Sequence, residues 1–171
     1  GVLITHHDDD HMGCLEVLSS YENIGAVYSA AAAKTCACDG CDKLRSVATA
    51  TTGKELCGLA VGDYIRVGNF SCEVVWPMEF LNEGGNEDSV CLKTTCDVNN
   101  DSVAEFSALL TGDAEKEPLL QMIKQENLGT IDIFKVGHHG SKISVDDALL
   151  EELNPSVALI SVGQGNRYGH P

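Results

Sequence analysis

The hydrophobic pattern of the first third of the chain predicts short strands that alternate with helices. An apolar run over residues 1–5 predicts a strand, and apolar residues at helical spacing predict a helix over residues 12–21. The stretch Gly25–Ala30 predicts a second strand, and Asp42–Ala48 a weaker helix. No internal repeat or linker interrupts the pattern, so we expect a single domain over residues 1–171.

The rest of the chain predicts two hairpins followed by strand–helix–strand units. Asp63–Trp76 alternates around a Gly68-Asn69 turn, and Ser89–Asp97 is predicted to pair with Val103–Thr111. The remaining predicted elements are a helix that begins at Asp113, a strand over Ile131–Val136, a helix over Ser144–Leu153 and a strand over Val157–Val162. This succession is typical of an α+β fold.

A polar run directly after the first predicted strand carries the densest candidate chemistry. It reads Thr5-His6-His7-Asp8-Asp9-Asp10-His11. Side chains two apart in an extended chain point the same way, so His6, Asp8 and Asp10 share one direction. His11 joins them if a helix starts there, and the residues in between are expected to face away. Imidazole and carboxylate groups that converge on one point are ligands of divalent metal ions, and a solvated acidic loop is the alternative.

Other candidate residues lie in segments that follow later predicted strands. These segments are Leu110-Thr111-Gly112-Asp113, then Lys135-Val136-Gly137-His138-His139-Gly140-Ser141-Lys142, then Ser161-Val162-Gly163-Gln164-Gly165-Asn166-Arg167-Tyr168-Gly169-His170-Pro171. Each has a structural alternative: Asp113 is a good helix N-cap residue, and paired histidines at a strand end are often surface residues.

The spacing His-x-Asp-x-Asp-His resembles the metal motif of the metallo-β-lactamase superfamily, which is usually His-x-His-x-Asp-His. The order of the later segments, together with Asn86–Val90, is similar to one branch, the hydrolase domain of the DNA-uptake channel protein ComEC and its free-standing relatives. That branch commonly has Asp at the position of Asp8. The resemblance implies a four-layer αββα sandwich. It also implies that residues 1–171 are part of a larger domain that has an N-terminal sheet and a C-terminal end outside this chain.

The resemblance further implies two divalent metal ions, Mn²⁺ or Zn²⁺, and a set of site residues. The implied metal ligands are His6, Asp8, Asp10, His11, Asp113 and His138. The implied catalytic residues are Asp10, His139 and His170, and the implied substrate contacts are Lys142, Asn166, Arg167 and Tyr168. The resemblance makes one of the paired histidines a ligand, and His138 is chosen; adjacent residues in an extended chain point oppositely, so His138 and His139 are not both expected to bind one ion. One metal position is expected to be weak, because Asn86 and Ser89 occupy the region where other branches supply another His.

The charge of the chain limits how it can bind nucleic acid. Its net charge is −15 with only 11 Lys and Arg residues, so no basic patch for tight duplex binding is expected. Two divalent ions would offset part of this charge locally. Weak engagement of single-stranded DNA or of a small phosphodiester remains compatible with the composition.

Eight cysteines are present, and three of them form a Cys-x-Cys-x-x-Cys cluster. A structural zinc site needs a fourth ligand at a recognisable spacing, and none is evident near Cys36, Cys38 and Cys41. A structural metal, a disulfide and free thiols are therefore all open for this cluster.

The combined interpretation is a metal-dependent hydrolase that cleaves phosphodiester bonds with a metal-bound hydroxide as nucleophile. The rival hypothesis is a non-catalytic, metal-containing module of a DNA-uptake channel, and β-lactam or thioester hydrolysis is a weaker alternative. No apolar run approaches the ~20 residues that span a bilayer, so a membrane channel domain would have to lie outside this chain. Natural substrate, oligomeric state and compartment are not determined. We expect the cytoplasm for a free-standing protein and the outer face of the cell membrane for a channel protein.

Overall fold

The first sheet is built from three short parallel strands. The computed structural model describes residues 1–125 and 128–171. In order across the sheet, the strands are β1 (Val2–Leu3), β2 (Val27–Ala30) and β3 (Cys57–Leu59). The first two confirm the strands predicted for this region, although both are shorter than predicted.

Helices cover the outer face of this sheet. They are α1 (Asp9–Met12), α2 (Leu15–Ser19) and α3 (Asp39–Thr52), with a 3-10 turn over Ala31–Lys34. The helix predicted over residues 12–21 is divided at Gly13 and Cys14, with Met12 at the end of α1 and Leu15–Ser19 in α2. The N–H of Gly13 donates to the carbonyl of Asp9 at 2.7 Å, and a Cβ at Gly13 would lie 2.4 Å from that oxygen.

Helix α3 is twice as long as the sequence pattern predicted because both of its ends are capped. At its start, the sulfur of Cys38 accepts a hydrogen bond from the backbone N–H of Cys41. At its end, Gly53 adopts the left-handed conformation with φ 68°, which satisfies the last carbonyl groups. The cysteine cluster therefore forms the N-terminus of this helix.

The second sheet contains six strands that lie in chain order. They are β4 (Tyr64–Val67), β5 (Phe70–Trp76), β6 (Cys91–Cys96), β7 (Phe106–Leu110), β8 (Ile133–Lys135) and β9 (Val157–Leu159). Strands β4 to β7 are antiparallel, and β7, β8 and β9 are parallel. Val67 pairs with Phe70, which confirms the hairpin predicted around Gly68-Asn69.

Helices α4 (Lys116–Gln125) and α5 (Asp147–Leu153) pack on the outer face of the second sheet. The prediction that a helix begins at Asp113 is wrong, since α4 begins three residues later. The backbone N–H of Asp113 donates instead to Oγ of Ser89 at 3.0 Å. Asp113 is thus held in the loop between β7 and α4, at the edge of the sandwich.

The two sheets pack face to face through a cluster of apolar side chains between them. Ala30 and Leu59 come from the first sheet, and Val74 and Leu92 from the second. Val75, the neighbour of Val74, points to the helix side, as alternation along a strand requires. The layers are therefore helices, three-stranded sheet, six-stranded sheet and helices, which confirms the predicted α+β, αββα architecture.

The inner face of β7–β9 is partly uncovered. Phe106, Leu110, Val157 and Leu159 remain 38–50% exposed on strands that belong to the wider sheet. Within the described residues, no helix is both long and apolar enough to cross a membrane.

Candidate metal centre

The polar segment after β1 turns into helix α1 and thereby gathers its side chains. Asp8 is the extended residue before the helix, and its carbonyl accepts from the backbone N–H groups of His11 and Met12. His6 is buried, whereas Asp10 and His11 lie on the helix. Oδ2 of Asp8 lies 3.6 Å from Nε2 of His6. Oδ2 of Asp10 lies 3.7 Å from Nε2 of His11.

The hydroxyl of Thr5 orients two imidazole rings at once. Its Oγ1 lies 3.1 Å from Nδ1 of His6 and 3.3 Å from Nδ1 of His11, and the ring centroids are 4.1 Å apart. The hydroxyl oxygen can accept from both Nδ1–H groups. Nε2 of each ring is then the free nitrogen, which is how histidine ligands are usually held by a neighbouring group.

Asp113 reaches this group from the opposite sheet. Its Oδ2 lies 3.2 Å from Nε2 of His11 and 3.2 Å from Nε2 of His139. Oγ of Ser89 supports the arrangement, since it accepts from the N–H of Asp113 and lies 3.2 Å from Nδ1 of His6. Gly112, at φ +54°, permits the approach, because a Cβ there would lie 2.8 Å from the Cβ atoms of Ser89 and Thr5.

The two adjacent histidines after β8 have different environments. His139 donates from Nδ1 to the carbonyl of Ser161 at 2.8 Å, and its Nε2 lies 3.1 Å from Oδ2 of Asp10. His138 instead places Nδ1 2.7 Å from Oε1 of Glu115. Both histidines have positive φ, so the chain is not extended here and the alternation expected between His138 and His139 does not hold. The structure brings His139 into the cluster and turns His138 towards Glu115.

Three atoms of the cluster are buried without a hydrogen-bond partner among the described residues. They are Nε2 of His6, Nε2 of His11 and Oδ1 of Asp113. Buried polar atoms are nearly always paired, and an unpaired one costs about 1–3 kcal/mol. Ligand atoms of His6, His11 and Asp113 lie within 4.8 Å of one another, as do those of Asp10, His11 and His139. These donors fit divalent metal ions.

The electrostatics keep the central groups in the protonation states that a metal requires. Burial lowers the pKa of His6 to about 4, and the neighbouring His11 adds to the effect, so the ring is neutral near pH 7. Burial raises the pKa of Asp113, but His11, His139 and Lys135 outweigh it and lower the pKa to about 2. Nζ of Lys135 lies 3.7 Å from Oδ1 of Asp113 and donates to the carbonyl of Gly112 at 2.6 Å.

The residues expected to contact substrate lie outside the cluster of candidate ligands. Asn166 binds its own loop, where its Oδ1 accepts from the N–H groups of Tyr168 and His170. Tyr168 is 85% exposed, and Arg167 is also exposed. The ring of His170 lies 5.6 Å from that of His138 and 6.2 Å from that of His139.

An open cleft of about 590 Å³ adjoins the cluster at Asp8. Its walls carry five carboxylates: Asp8, Asp39, Glu83, Glu87 and Glu115. Asn86 also lines this cleft, and Lys142 lines a neighbouring depression that shares Glu87 and Glu115 with it. The approach to the cluster is therefore acidic.

Sequence reasoning misses the residues that support the candidate ligands. It assigns no role to Thr5, Glu115 and Lys135, and it treats Ser89 only as a poor ligand. Hydroxyl, carboxylate and amine groups of this kind are common at strand ends. Their partners lie far away in the chain, so no local signal marks them.

Two curated bacterial proteins are similar to almost the whole chain. Identity is 28% over 170 residues with ComE operon protein 3 of Bacillus subtilis, covering 99% of this chain and 21% of that protein. It is 30% over 171 residues with Recombination protein 2 of Haemophilus influenzae, covering 99% and 18%. The chain thus spans about a fifth of the length of these relatives. Comparison with protein-family models finds no match.

Solved structures share the fold at low sequence identity. The metallo-β-lactamase fold protein YhfI of Bacillus subtilis superposes with a TM-score of 0.51 and 9% identity, covering 94% of this chain and 65% of that chain. The chain therefore has the metallo-β-lactamase fold. The diiron β-hydroxylase CmlA of Streptomyces venezuelae superposes with a TM-score of 0.55 and 14% identity, covering 91% and 34%. Both neighbours share the fold with this chain, and its described residues include groups of ligand-type side chains that could hold a metal ion.

Proposed function

We propose that this chain is a domain of the metallo-β-lactamase superfamily and a metal-dependent phosphodiesterase that acts on single-stranded DNA or a small phosphodiester. The observation that carries the proposal is the convergence of imidazole and carboxylate groups from both sheets around three buried polar atoms that make no hydrogen bond within the described residues. The names of the relatives and the resemblance to the DNA-uptake hydrolase domain support DNA as the substrate.

The proposed ligand set has two halves that share one carboxylate. His6 and Asp8 form one half, and Asp10, His11 and His139 form the other. Asp113 lies between them. His139 takes the place that the sequence assigned to His138, because its Nε2 faces Asp10 and Asp113. Carboxylates make up half of the set and favour harder ions such as Mn²⁺, although Zn²⁺ generally binds more tightly.

Bound divalent ions would supply two effects in such a site: a pKa of about 7 for a bound water, and compensation of the negative charge on the attacking and leaving oxygens. Thr5 and Ser89 hold His6 and Asp113 in place, so the ligand atoms are oriented before substrate binds. Glu115 accepts from Nδ1 of His138. A His138 ring protonated on both nitrogens would give the Nε2 proton to the leaving oxygen and keep the Nδ1–H that Glu115 accepts, with His170 beside it.

The acidic cleft limits which phosphodiesters we expect the protein to bind. Five carboxylates in its walls repel a polyanion, so binding depends on bound cations and on exposed residues such as Lys142 and Arg167. A duplex presents twice the backbone charge of a single strand. We therefore expect single strands to bind weakly, and duplexes more weakly still, with affinities that fall as salt rises.

The experiment is hydrolysis of bis(p-nitrophenyl) phosphate and of single-stranded DNA by Mn²⁺-loaded protein. We expect turnover that chelator stops and that Asp113→Asn abolishes, whereas Asp147→Asn, an exposed carboxylate on α5, retains it. Metal-loaded protein that cleaves no phosphodiester yet binds DNA would favour the non-catalytic channel module. Turnover of a β-lactam alone would overturn the substrate assignment.

A further inference from the structure

A second cluster of ligand-type side chains lies beside the first one. It consists of Cys36, Cys38, Cys41 and His7. We use the name thiol cluster for these four residues. Sγ of Cys36 lies 3.3 Å from Sγ of Cys38, and ligand atoms of His7, Cys38 and Cys41 lie within 4.8 Å of one another. Cys36 lies outside that group of three and adjoins it through Cys38, so the fold adds His7 as a candidate fourth ligand beside the three cysteines.

The four side chains converge on one backbone oxygen. The carbonyl of Glu83 lies 2.9 Å from Sγ of Cys38, 3.2 Å from Nε2 of His7, 3.7 Å from Sγ of Cys41 and 3.9 Å from Sγ of Cys36. A carbonyl has two lone pairs and cannot accept from three thiols, and Nε2 of His7 carries no proton to donate in the tautomer that donates from Nδ1 to Asp8. Thiols are also weak donors, so hydrogen bonding to one oxygen does not account for this convergence.

Two glycines make room for the cluster. A Cβ at Gly40 would lie 2.5 Å from Nδ1 of His7, and a Cβ at Gly84 would lie 2.9 Å from Sγ of Cys41. Gly84 also has φ +84°, which favours glycine. The loop that carries Glu83 is fixed by buried Asp88, whose carboxylate accepts from the N–H groups of Leu81, Asn82 and Gly84 at 2.6–2.8 Å.

We propose that Cys36, Cys38, Cys41 and His7 bind a structural zinc ion. Three sulfurs and one imidazole nitrogen form a common tetrahedral zinc set, with Zn–S bonds of about 2.3 Å. Sulfurs in such a tetrahedron are about 3.7 Å apart, close to the 3.3 Å between Cys36 and Cys38. The N–H of Cys41 donates to Sγ of Cys38, a bond that stabilises the thiolate a metal needs.

Asp8 connects this zinc site to the metal centre. Its Oδ1 lies 3.3 Å from Nδ1 of His7, which leaves Nε2 of His7 as the ligand atom, while Oδ2 faces His6. A carboxylate that receives the second nitrogen of a histidine ligand is a recurrent feature of zinc sites. The ion would thus tie the loop that carries His6 and Asp8 to the N-terminus of α3.

The test is Co²⁺ titration of the full chain under reducing conditions. Thiolate ligands give an intense charge-transfer absorption that carboxylate and imidazole ligands do not give. The readout is therefore independent of the proposed hydrolase activity. We expect this band to saturate at one equivalent of Co²⁺ and to disappear when Zn²⁺ is added.

Variants assign the band to the thiol cluster. Cys38→Ser with Cys41→Ser should abolish it, and Cys14→Ser with Cys57→Ser, which removes two thiols elsewhere, should retain it. His7→Cys should retain the band, because a fourth thiolate replaces the imidazole. Circular dichroism checks that each variant is folded, and half-exposed Cys38→Ser alone serves if the double variant unfolds. No band in the reduced chain, a band that survives the loss of Cys38, or a disulfide within residues 36–41 that persists in place of metal would each overturn the proposal.

Discussion

The metal centre and the thiol cluster are neighbours that differ in almost every physical property. The metal centre combines imidazole with carboxylate. Ligand atoms of His6, His11 and Asp113 are buried at its middle, and its residues follow strands of both sheets. The thiol cluster combines sulfur with a single imidazole, is partly exposed and lies at the start of one helix. Harder ligands suit ions that exchange water and substrate, whereas soft thiolates suit a closed structural site. Adjacent residues face the two groups: His6 faces Asp8 in the proposed metal centre, and Nε2 of His7 faces the carbonyl of Glu83 at the thiol cluster.

The largest expected effect concerns the two histidines after β8. His139→Ala removes a proposed ligand and should lower kcat/KM for bis(p-nitrophenyl) phosphate by more than about a hundredfold. His138→Ala should lower kcat/KM by a smaller factor and should change how kcat/KM depends on pH, because it removes only a proton donor held by Glu115. Steady-state kinetics with metal analysis measures both. Loss of metal from His138→Ala but not from His139→Ala would reverse our assignment.

A smaller effect is expected when a supporting hydroxyl is removed. Ser89→Ala loses the contacts with His6 and with the N–H of Asp113, so Mn²⁺ affinity should fall by about 10–100-fold. The thiolate–Co²⁺ band should not change, because Ser89 does not contact the thiol cluster in the described residues. Isothermal titration and absorption spectroscopy on the same preparation separate the two sites. Equal losses at both sites would show that they are not distinct.

Gly40→Ala tests the thiol cluster without removing any of its four side chains. A helical Gly→Ala change normally stabilises by up to ~1 kcal/mol, but the new Cβ would push His7 away from the cysteines. We expect about a tenfold loss of thiolate-bound Co²⁺ with little loss of unfolding free energy. Gly25→Ala is the control, since nothing lies within 4 Å of its Cβ position. Unchanged Co²⁺ binding in Gly40→Ala would argue against His7 as a ligand.

The smallest expected effect is a pH dependence of the unfolding free energy of the metal-free protein. The pKa of His6 is about 4 in the folded chain, against an ordinary value of 6.5, so the unfolded chain binds the extra proton first as pH falls. Stability contributed by neutral His6 is present above pH 6.5 and is lost towards pH 4. The loss should be about 1 kcal/mol between roughly pH 6.5 and 5.5. Urea unfolding with chelator measures it, and His6→Gln should remove this part of the slope. An identical slope in His6→Gln would contradict the assignment.

Local patterns predicted the type of most elements and less reliably their limits. Hairpins such as Tyr64–Val67 with Phe70–Trp76 follow from alternation around a Gly-Asn turn, which neighbouring residues determine. The sequence pattern did not predict the break at Gly13 or the start of α4 at Lys116. Both depend on contacts that spacing does not reveal: a turn closed onto Asp9, and a Ser89 hydroxyl that holds Asp113 out of the helix.

The sequence by itself determined which residues could act as ligands, because imidazole, carboxylate and thiolate groups are properties of residue type and their alternation is local. It therefore indicated the run from His6 to His11 and the importance of Asp113. Only the tertiary structure decided which atoms meet. It brought His139 rather than His138 to Asp113, placed Thr5 and Ser89 behind the rings, and joined His7 to the cysteines of α3. Those contacts link segments far apart in the chain, and they exist only once the two sheets and their helices have packed.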